Sequence, residues 1–183
     1  MITLVKPLII NNVLPNQINY NLLQRLTKQA FHFGYENDDL GVTELGCALD
    51  PQMKHMGMTH LVSDKDTSLN NYLDNFIAYH SYYLACFAAD KLKIDKFSIF
   101  RSAWNYYYKD QEGVGHIDSS DKNSISLVYT PTTSDGGTEI DGVFYQDQER
   151  QLKIFRSNWK HRGVCVKNSK GRFNLNVVLN YYE

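Results

Sequence analysis

A chain of 183 residues, 43% hydrophobic with 13 tyrosines and 9 phenylalanines, can bury one substantial core, which argues a single domain spanning 1–183 and excludes a disordered chain. A formal net charge of -1 excludes the global basic excess expected when nucleic acid is the main partner, and no apolar run approaches membrane-spanning length. Cys47, Cys86 and Cys165 are widely spaced, odd in number and outside any zinc pattern, so they read as free thiols in a reducing, cytoplasmic setting.

The first half, to about residue 93, carries helical periodicity. After Pro15-Asn16, the residues Ile18, Leu22, Leu23, Leu26 and Ala30 form an apolar stripe that Asn16 can cap and Gly34 can end. The segment Glu36 to Val62 is irregular, with Gly41, Gly46, Pro51, Met53, Met56, Met58, His55 and His60; it reads equally as a substrate lid or as packing under a long connection. A second stripe, Leu69, Tyr72, Leu73, Phe76, Ile77, Tyr83, Leu84 and Phe87, keeps the same period over about five turns. His80 lies on that stripe with no carboxylate or histidine at ligand spacing, so it reads as a partly buried histidine with an ordinary hydrogen bond.

From about Lys96 the period becomes two. Phe97 to Tyr108, Ser124 to Thr130, Thr138 to Tyr145, Leu152 to Phe155 and Arg172 to Tyr182 are β-branched or aromatic stretches separated by Gly, Asp, Asn and Pro clusters, which predicts antiparallel strands. In the last, Phe173, Leu175, Val177, Leu179 and Tyr181 face one way and Arg172, Asn174, Asn176 and Asn180 the other. A polar face ending in arginine makes sense if it lines a hydrated cavity while the helices cover the apolar face. The expected fold is mainly β with α: a double-stranded β-helix, cupin-like, over 94–183, buttressed by N-terminal helices over 1–93. Charge is uneven here. Asn123 to Glu149 holds five acids and no Lys or Arg, whereas Arg150 to Arg172 holds eight Lys or Arg and no acid. Pairing between neighbouring strands on a solvated face explains this, as does a positive field that attracts a dianionic co-substrate.

Chemistry concentrates in His116-Ile117-Asp118. With six His and 14 Asp in the chain, chance alone supplies a His-x-Asp about 0.5 times, so context must carry it. In a strand, residues two apart point the same way, so His116 and Asp118 can reach one metal from a single edge. His161, between two predicted strands, can be brought across by an exposed turn; alone it reads as a surface histidine among basic neighbours. Two histidines and one carboxylate are the donor set of facial non-haem Fe(II) sites, which leave positions open. Arg172 offers a planar fork that matches a carboxylate, including one that belongs to a ligand. Tyr129, sharing a face with Ile125 and Leu127, and Tyr107, nine residues before His116, each read singly as core tyrosines, and with Arg172 as walls of an anion pocket. A shifted or bulged strand would present Tyr106 or Tyr108 in place of Tyr107.

The segment Phe97 to Tyr182 resembles the 2-oxoglutarate and Fe(II)-dependent oxygenases, and within them the prolyl 4-hydroxylase-type branch. The likeness rests on Trp104-Asn105-Tyr106-Tyr107 leading to His116-Ile117-Asp118, on Tyr129-Thr130-Pro131, on Gly136-Gly137-Thr138-Glu139-Ile140, and on His161-Arg162-Gly163 followed by Gly171-Arg172. Asp110 stands where that pattern usually has glycine. The resemblance implies His116, Asp118 and His161 as iron ligands, and Arg172 as the residue that holds the C5 carboxylate of 2-oxoglutarate, assisted by Tyr107 and Tyr129. It also implies Fe(II), 2-oxoglutarate and O₂ as cofactors, with ascorbate as reductant. The implied activity is hydroxylation of an unactivated C–H bond with release of succinate and CO₂, on a peptidyl proline or other protein side chain; a free amino acid or small metabolite stays open. Nucleic-acid demethylases of the superfamily carry a second arginine six residues past the first, and Val178 stands there. A non-catalytic cupin-like module that binds metal or ligand is the reading from a different class.

Overall fold

The computed structural model describes residues 4–28, 32–36, 43–45, 56–64, 75–111, 113–164, 166–169 and 171–182, with backbone alone for 32–64 and 75. Thirteen elements are described in chain order: β1 Leu8–Ile10, α1 Asn16–Leu26, β2 His32–Glu36, β3 Thr43–Leu45, β4 Met56–Asp64, α2 Asn75–Leu92, β5 Lys96–Tyr108, β6 Ser124–Thr130, β7 Gly137–Ile140, β8 Val143–Gln146, β9 Gln151–Arg156, β10 His161–Val164 and β11 Gly171–Tyr182. The strands form an eight-stranded sheet, ordered β1-β9-β6-β11-β5-β4-β2-β3, and a three-stranded sheet, β10-β7-β8, with every pairing antiparallel.

Alternation along β5, β6, β9 and β11 sorts the large sheet into two faces. Leu175, Val177, Leu179 and Tyr181 of β11, Ile125, Leu127 and Tyr129 of β6, Trp104 of β5 and Leu152 and Ile154 of β9 join Leu22 and Leu26 of α1 and Ile77, Leu84, Ala85 and Ala88 of α2 in one buried cluster. The opposite face carries Arg172, Asn174 and Asn176 of β11, with Ser126 and Thr130 of β6 and Lys153 of β9, and each of these is buried as well. Buried beside a small apolar cluster of Val128, Ile140 and Phe155, this concentration of polar and charged groups marks an internal site. The register shift between Val178 and Leu179 keeps both faces consistent, because it lets Ile99 and Phe97 return to the helix side after Ser102 and Trp104.

Several boundaries differ from the sequence reading, each for a local reason. Helix α1 begins after Pro15, without a side-chain cap from Asn16, and closes at Thr27, well before Gly34, which lies within β2. The first half is not only helical: β2, β3 and β4 extend the large sheet, because β4 adds its backbone to the outer edge of β5, an instruction that resides in β5 and not in the strand's own periodicity. They take up parts of Glu36 to Val62, while the rest of that loop and positions Leu69, Tyr72 and Leu73 of the second stripe lie outside the described residues. The expected strand Thr138 to Tyr145 is a hairpin, β7 and β8, turned at Asp141 (φ 50°) and Gly142 (φ 78°), the paired positive φ of a type I′ turn. His80 donates Nδ1–H to the Phe76 carbonyl at 2.6 Å, an ordinary helical bond. Among the described residues no helix is long and apolar enough to cross a membrane.

Candidate metal centre

His116 and His161 meet through their backbones. They form an isolated antiparallel bridge in which His116 N donates to His161 O at 2.9 Å and His161 N donates to His116 O at 2.8 Å. His161 is therefore the first residue of β10, 4% exposed and paired with Ile140 of β7, and not part of an exposed turn. Asp118 reaches the same point, its amide bonded to the Ser157 carbonyl at 3.0 Å. The ligand atoms of His116, Asp118 and His161 lie within 4.8 Å of one another. His116 Nε2 stands 3.6 Å from Asp118 Oδ1, and His161 Nε2 stands 3.4 Å from Asp118 Oδ2.

Hydrogen bonds fix which nitrogen of each ring faces inward. His116 Nδ1 lies 2.9 Å from the Val114 carbonyl and His161 Nδ1 lies 3.0 Å from the Trp159 carbonyl. A carbonyl only accepts, so each Nδ1 carries a proton and, in the neutral ring, each Nε2 presents a lone pair toward Asp118. His161 Nε2 is buried and has no hydrogen-bond partner among the described residues. Two lone pairs and a carboxylate that converge with no proton between them form a cradle for a cation. The mixed nitrogen and oxygen donors suit a divalent transition metal, Fe(II) among them, and the backbone carbonyls behind the rings are the outer partners such sites use.

The carboxylate is held from two further sides. Ser126 Oγ donates to Asp118 Oδ2 at 2.5 Å, and Arg101 Nη2 donates to Asp118 Oδ1 at 3.0 Å. Burial pushes the Asp118 carboxyl up, but His161 and His116, in the metal-free state where they carry a proton on Nε2, together with the Arg101 guanidinium outweigh it and hold the group well below the usual range, so it is an anion at neutral pH. Sequence reading missed Arg101. It lies directly opposite Val178 in register, so the neighbouring strand supplies a guanidinium where position 178 supplies none. The available signal was alternation, since Arg101 shares its face with Tyr107.

Arg172 is 1% exposed despite its charge. Its Nε lies 2.8 Å from Asp147 Oδ2 as an ion pair, and its Nη1 donates to the carbonyls of Gly137 and, at 3.1 Å, Val164, whereas Nε and Nη2 are both buried with no hydrogen-bond partner among the described residues. Lys153, fully buried, places Nζ 3.0 Å from the other oxygen, Asp147 Oδ1. Tyr107 pairs with Arg172 in register, and the guanidinium carbon sits 5.4 Å from the Tyr107 ring centre, so the strand presents Tyr107 here and not Tyr106 or Tyr108. Asp110 adopts φ 62°, the left-handed conformation glycine would supply, so the register is kept without one. Gly163 of β10 lies over the pair, where a Cβ would make ordinary contact at 3.4 Å from Tyr107 Cζ and 3.6 Å from Arg172 Nη1. The charge asymmetry of the sequence thus has two outcomes: Arg162 pairs with Glu139 at the surface, while Asp147 pairs with Lys153 and Arg172 inside.

Tyr129 is not brought to this site. Its ring packs edge-on against Trp104 in the helix-side cluster, and its hydroxyl donates to Asn19 Oδ1 of α1 at 2.6 Å. Strand parity is the reason: Ser126 faces the metal ligands, and Tyr129, three residues on, must face away. Tyr129→Phe is expected to destabilise the fold by about 1–2 kcal/mol in denaturant unfolding, the cost of leaving a buried acceptor unpaired, with affinity for divalent metal unchanged.

The loop that leads into β11 is tied by Asp135. Its Oδ2 accepts from the amides of Asn168 at 2.8 Å and Lys167 at 3.0 Å, and its Oδ1 accepts from Ser169 Oγ at 2.9 Å. The Asn168 amide foremost, with those of Lys167 and Ser169, holds the carboxyl far below its ordinary value against a smaller effect of burial. A lowered carboxylate contributes stability that is fully present above the unfolded value, about 3.9, and is lost as pH falls toward the folded one. Wild type should therefore melt above Asp135→Ala at pH 7, and the gap should narrow in thermal scans run below pH 4.

No protein-family model matches the chain, and no curated protein matches it in sequence. Solved structures do. A 2OG-Fe(II) oxygenase family oxidoreductase from Burkholderia pseudomallei superposes with a TM-score of 0.72 at 13% identity, covering 96% of this chain and 85% of that one. The viral collagen prolyl hydroxylase from Paramecium bursaria Chlorella virus-1, in its 2OG complex, gives 0.61 at 15% identity, covering 96% of both chains. SnoN, a non-heme alpha ketoglutarate dependent epimerase from nogalamycin biosynthesis, gives 0.65 at 9% identity, covering 94% of this chain and 76% of its own. At such identities the likeness is one of fold: the chain has the fold found in 2OG-Fe(II) oxygenases, prolyl hydroxylases included.

Proposed function

We propose that this protein is a 2-oxoglutarate and Fe(II)-dependent dioxygenase that hydroxylates an unactivated C–H bond of a peptidyl proline or other protein side chain, with release of succinate and CO₂. The observation that carries the reading is the pair of unmet groups in one fold. His161 Nε2 is an orphaned lone pair facing Asp118, and Arg172 Nη2 is an orphaned cationic donor on the same polar sheet face. One asks for a cation and the other for an anion.

In this reading His116, Asp118 and His161 would hold Fe(II), and the metal with 2-oxoglutarate and O₂ would supply the oxidising chemistry, with ascorbate as reductant. The chain's own groups do the rest. Val114 and Trp159 carbonyls keep each Nδ1 protonated, Ser126 and Arg101 fix the Asp118 carboxylate as an anion, and Arg172 with Tyr107 takes the far carboxylate of the keto acid. Burial of this face excludes water from the reacting atoms.

Likeness to prolyl hydroxylases supports the protein side chain as substrate, and the likeness to SnoN supports a small metabolite as the second reading. Consumption of 2-oxoglutarate by the Fe(II)-loaded protein separates them. Stimulation by proline-containing peptides above the uncoupled rate supports the first, and no response across a varied peptide panel overturns it in favour of the second.

A further inference from the structure

Lys153, Asp147 and Arg172 form a buried group of two cations and one anion, all at or below 1% exposure. We propose that Lys153 is a specificity-determining residue of the co-substrate pocket: by engaging one oxygen of Asp147 it keeps the Arg172 fork open for the distal carboxylate of a keto diacid. This rests on the oxygenase reading above and assigns a role to residues that reading leaves unused.

The geometry supplies the reason. An aspartate beside an arginine prefers the bidentate arrangement in which both oxygens take two adjacent N–H groups. Asp147 Oδ2 stands 2.8 Å from Arg172 Nε as an ion pair out of line for a hydrogen bond, and Nη2 is the neighbouring donor on that edge. The second oxygen does not reach Nη2, because Lys153 Nζ holds it at 3.0 Å, and Ser134 Oγ adds a bond to Oδ2 at 3.3 Å. Nε and Nη2 are both left buried without a hydrogen-bond partner among the described residues. Without Lys153, Asp147 would be free to close the fork as a neutral internal pair, and Arg172 would have no unmet charge to offer.

Charge and position agree with this. The group carries one uncompensated positive charge in a buried place, an unfavourable state that a single incoming carboxylate relieves. Burial, with Arg172 adding to it, pulls the Lys153 pKa down against the pull of Asp147, as expected of a cation still short of its full complement of negative charge. In register, Phe155, Ser126, Val178 and Arg101 make one cross-strand row, and Lys153, Val128, Asn176 and Ala103 make the next, about 7 Å along the strands. The first row holds Asp118 through Ser126 and Arg101. Lys153 is therefore one row from the metal ligands, with Asn176 Oδ1 beside it buried and without a partner among the described residues.

The test measures dissociation constants of 2-oxoglutarate and of pyruvate, which lacks the distal carboxylate, for Mn(II)-loaded protein by calorimetry at pH 7. Lys153→Met is expected to weaken 2-oxoglutarate about tenfold or more while pyruvate changes less than about twofold, since only the distal carboxylate is affected. Adding Asp147→Asn to Lys153→Met removes the group that closes the fork and should return 2-oxoglutarate to within about threefold of wild type, whereas a packing role for Lys153 predicts a double variant no better than the single one. Asp147→Asn alone should bind 2-oxoglutarate at least as tightly as wild type, and Lys153→Gln repeats the test if the methionine variant does not fold. Equal binding by wild type and both Lys153 variants, or no recovery in the double variant, overturns the inference. A wild type that binds neither keto acid overturns the oxygenase reading itself.

Discussion

Replacement of His161 by alanine is expected to abolish turnover and to lower affinity for divalent metal by about a thousandfold, since even the outer partners of such ligands are worth about 10–100-fold. Little else should change. The ring makes no hydrogen bond through Nε2, so its loss leaves no partner stranded at the centre, and the backbone pairing of His161 with His116 does not involve the side chain. Metal-free wild type and metal-free His161→Ala should therefore melt close together, within the cost of a small cavity. Addition of Mn(II) or Zn(II) should raise the melting temperature of the wild type alone. Zinc, nickel and copper bind such donors more tightly than ferrous iron, so protein taken straight from cells needs to be stripped before the comparison. A His161→Ala variant that keeps wild-type metal affinity would sink the assignment.

Arg172→Met should leave a folded, metal-binding protein that has lost its co-substrate. The long stem of Arg172 passes Gly136, its Cδ 3.2 Å from where a Cβ there would stand, and methionine keeps most of that stem. Asp147 is not stranded, because Lys153 stays 3.0 Å away and the two become a neutral buried pair. Loss of a buried charged partner is expected to cost the ligand about 2.7 kcal/mol, or a hundredfold in dissociation constant. The charge-transfer absorption of an Fe(II)-chelated keto acid, titrated without oxygen, reports this directly. In His161→Ala the band should be absent at every concentration, and in Arg172→Met it should return at high 2-oxoglutarate. Identical titrations for Arg172→Met and wild type would remove Arg172 from the pocket.

Where sequence patterns reached and where they failed follows from what each pattern encodes. Strand β6 matches its alternation from Ser124 to Thr130, and the two faces of β11 were legible because five apolar residues alternate with polar ones. His161 was harder. His161-Arg162-Gly163-Val164 has no alternation, and its strand conformation comes from pairing with β7 and with His116, partners distant in the chain. Lys153 sits between Leu152 and Ile154 and reads locally as a solvent-facing lysine; its burial is explained by Asp147, six residues before it, whose carboxylate the turn into β9 brings to its ammonium. The misplacement of Tyr129 was avoidable. It shares parity with Ile125 and Leu127, both core residues, whereas Ser124 and Ser126 mark the polar face of the same strand. The strands β2 to β4 had no such signal, because the edge of β5 templates them.

The bridge between His116 and His161 has a mechanical side. These residues are 45 positions apart (161 − 116), and the chain between them contains β6, β7, β8 and β9. Bonds from both imidazoles to one cation close that span into a ring, as a disulfide would, and so subtract loop-closure entropy from the unfolded chain. His116 lies in the segment between β5 and β6, outside both sheets, so the ring would tie that segment to β10 of the small sheet, beside the backbone bonds of His116 with His161 and of Gly113 with Gly163. Release of β10 from that segment would then require the loss of a ligand bond as well as of the backbone pairs, so a cation bound there would act as a clasp on the fold.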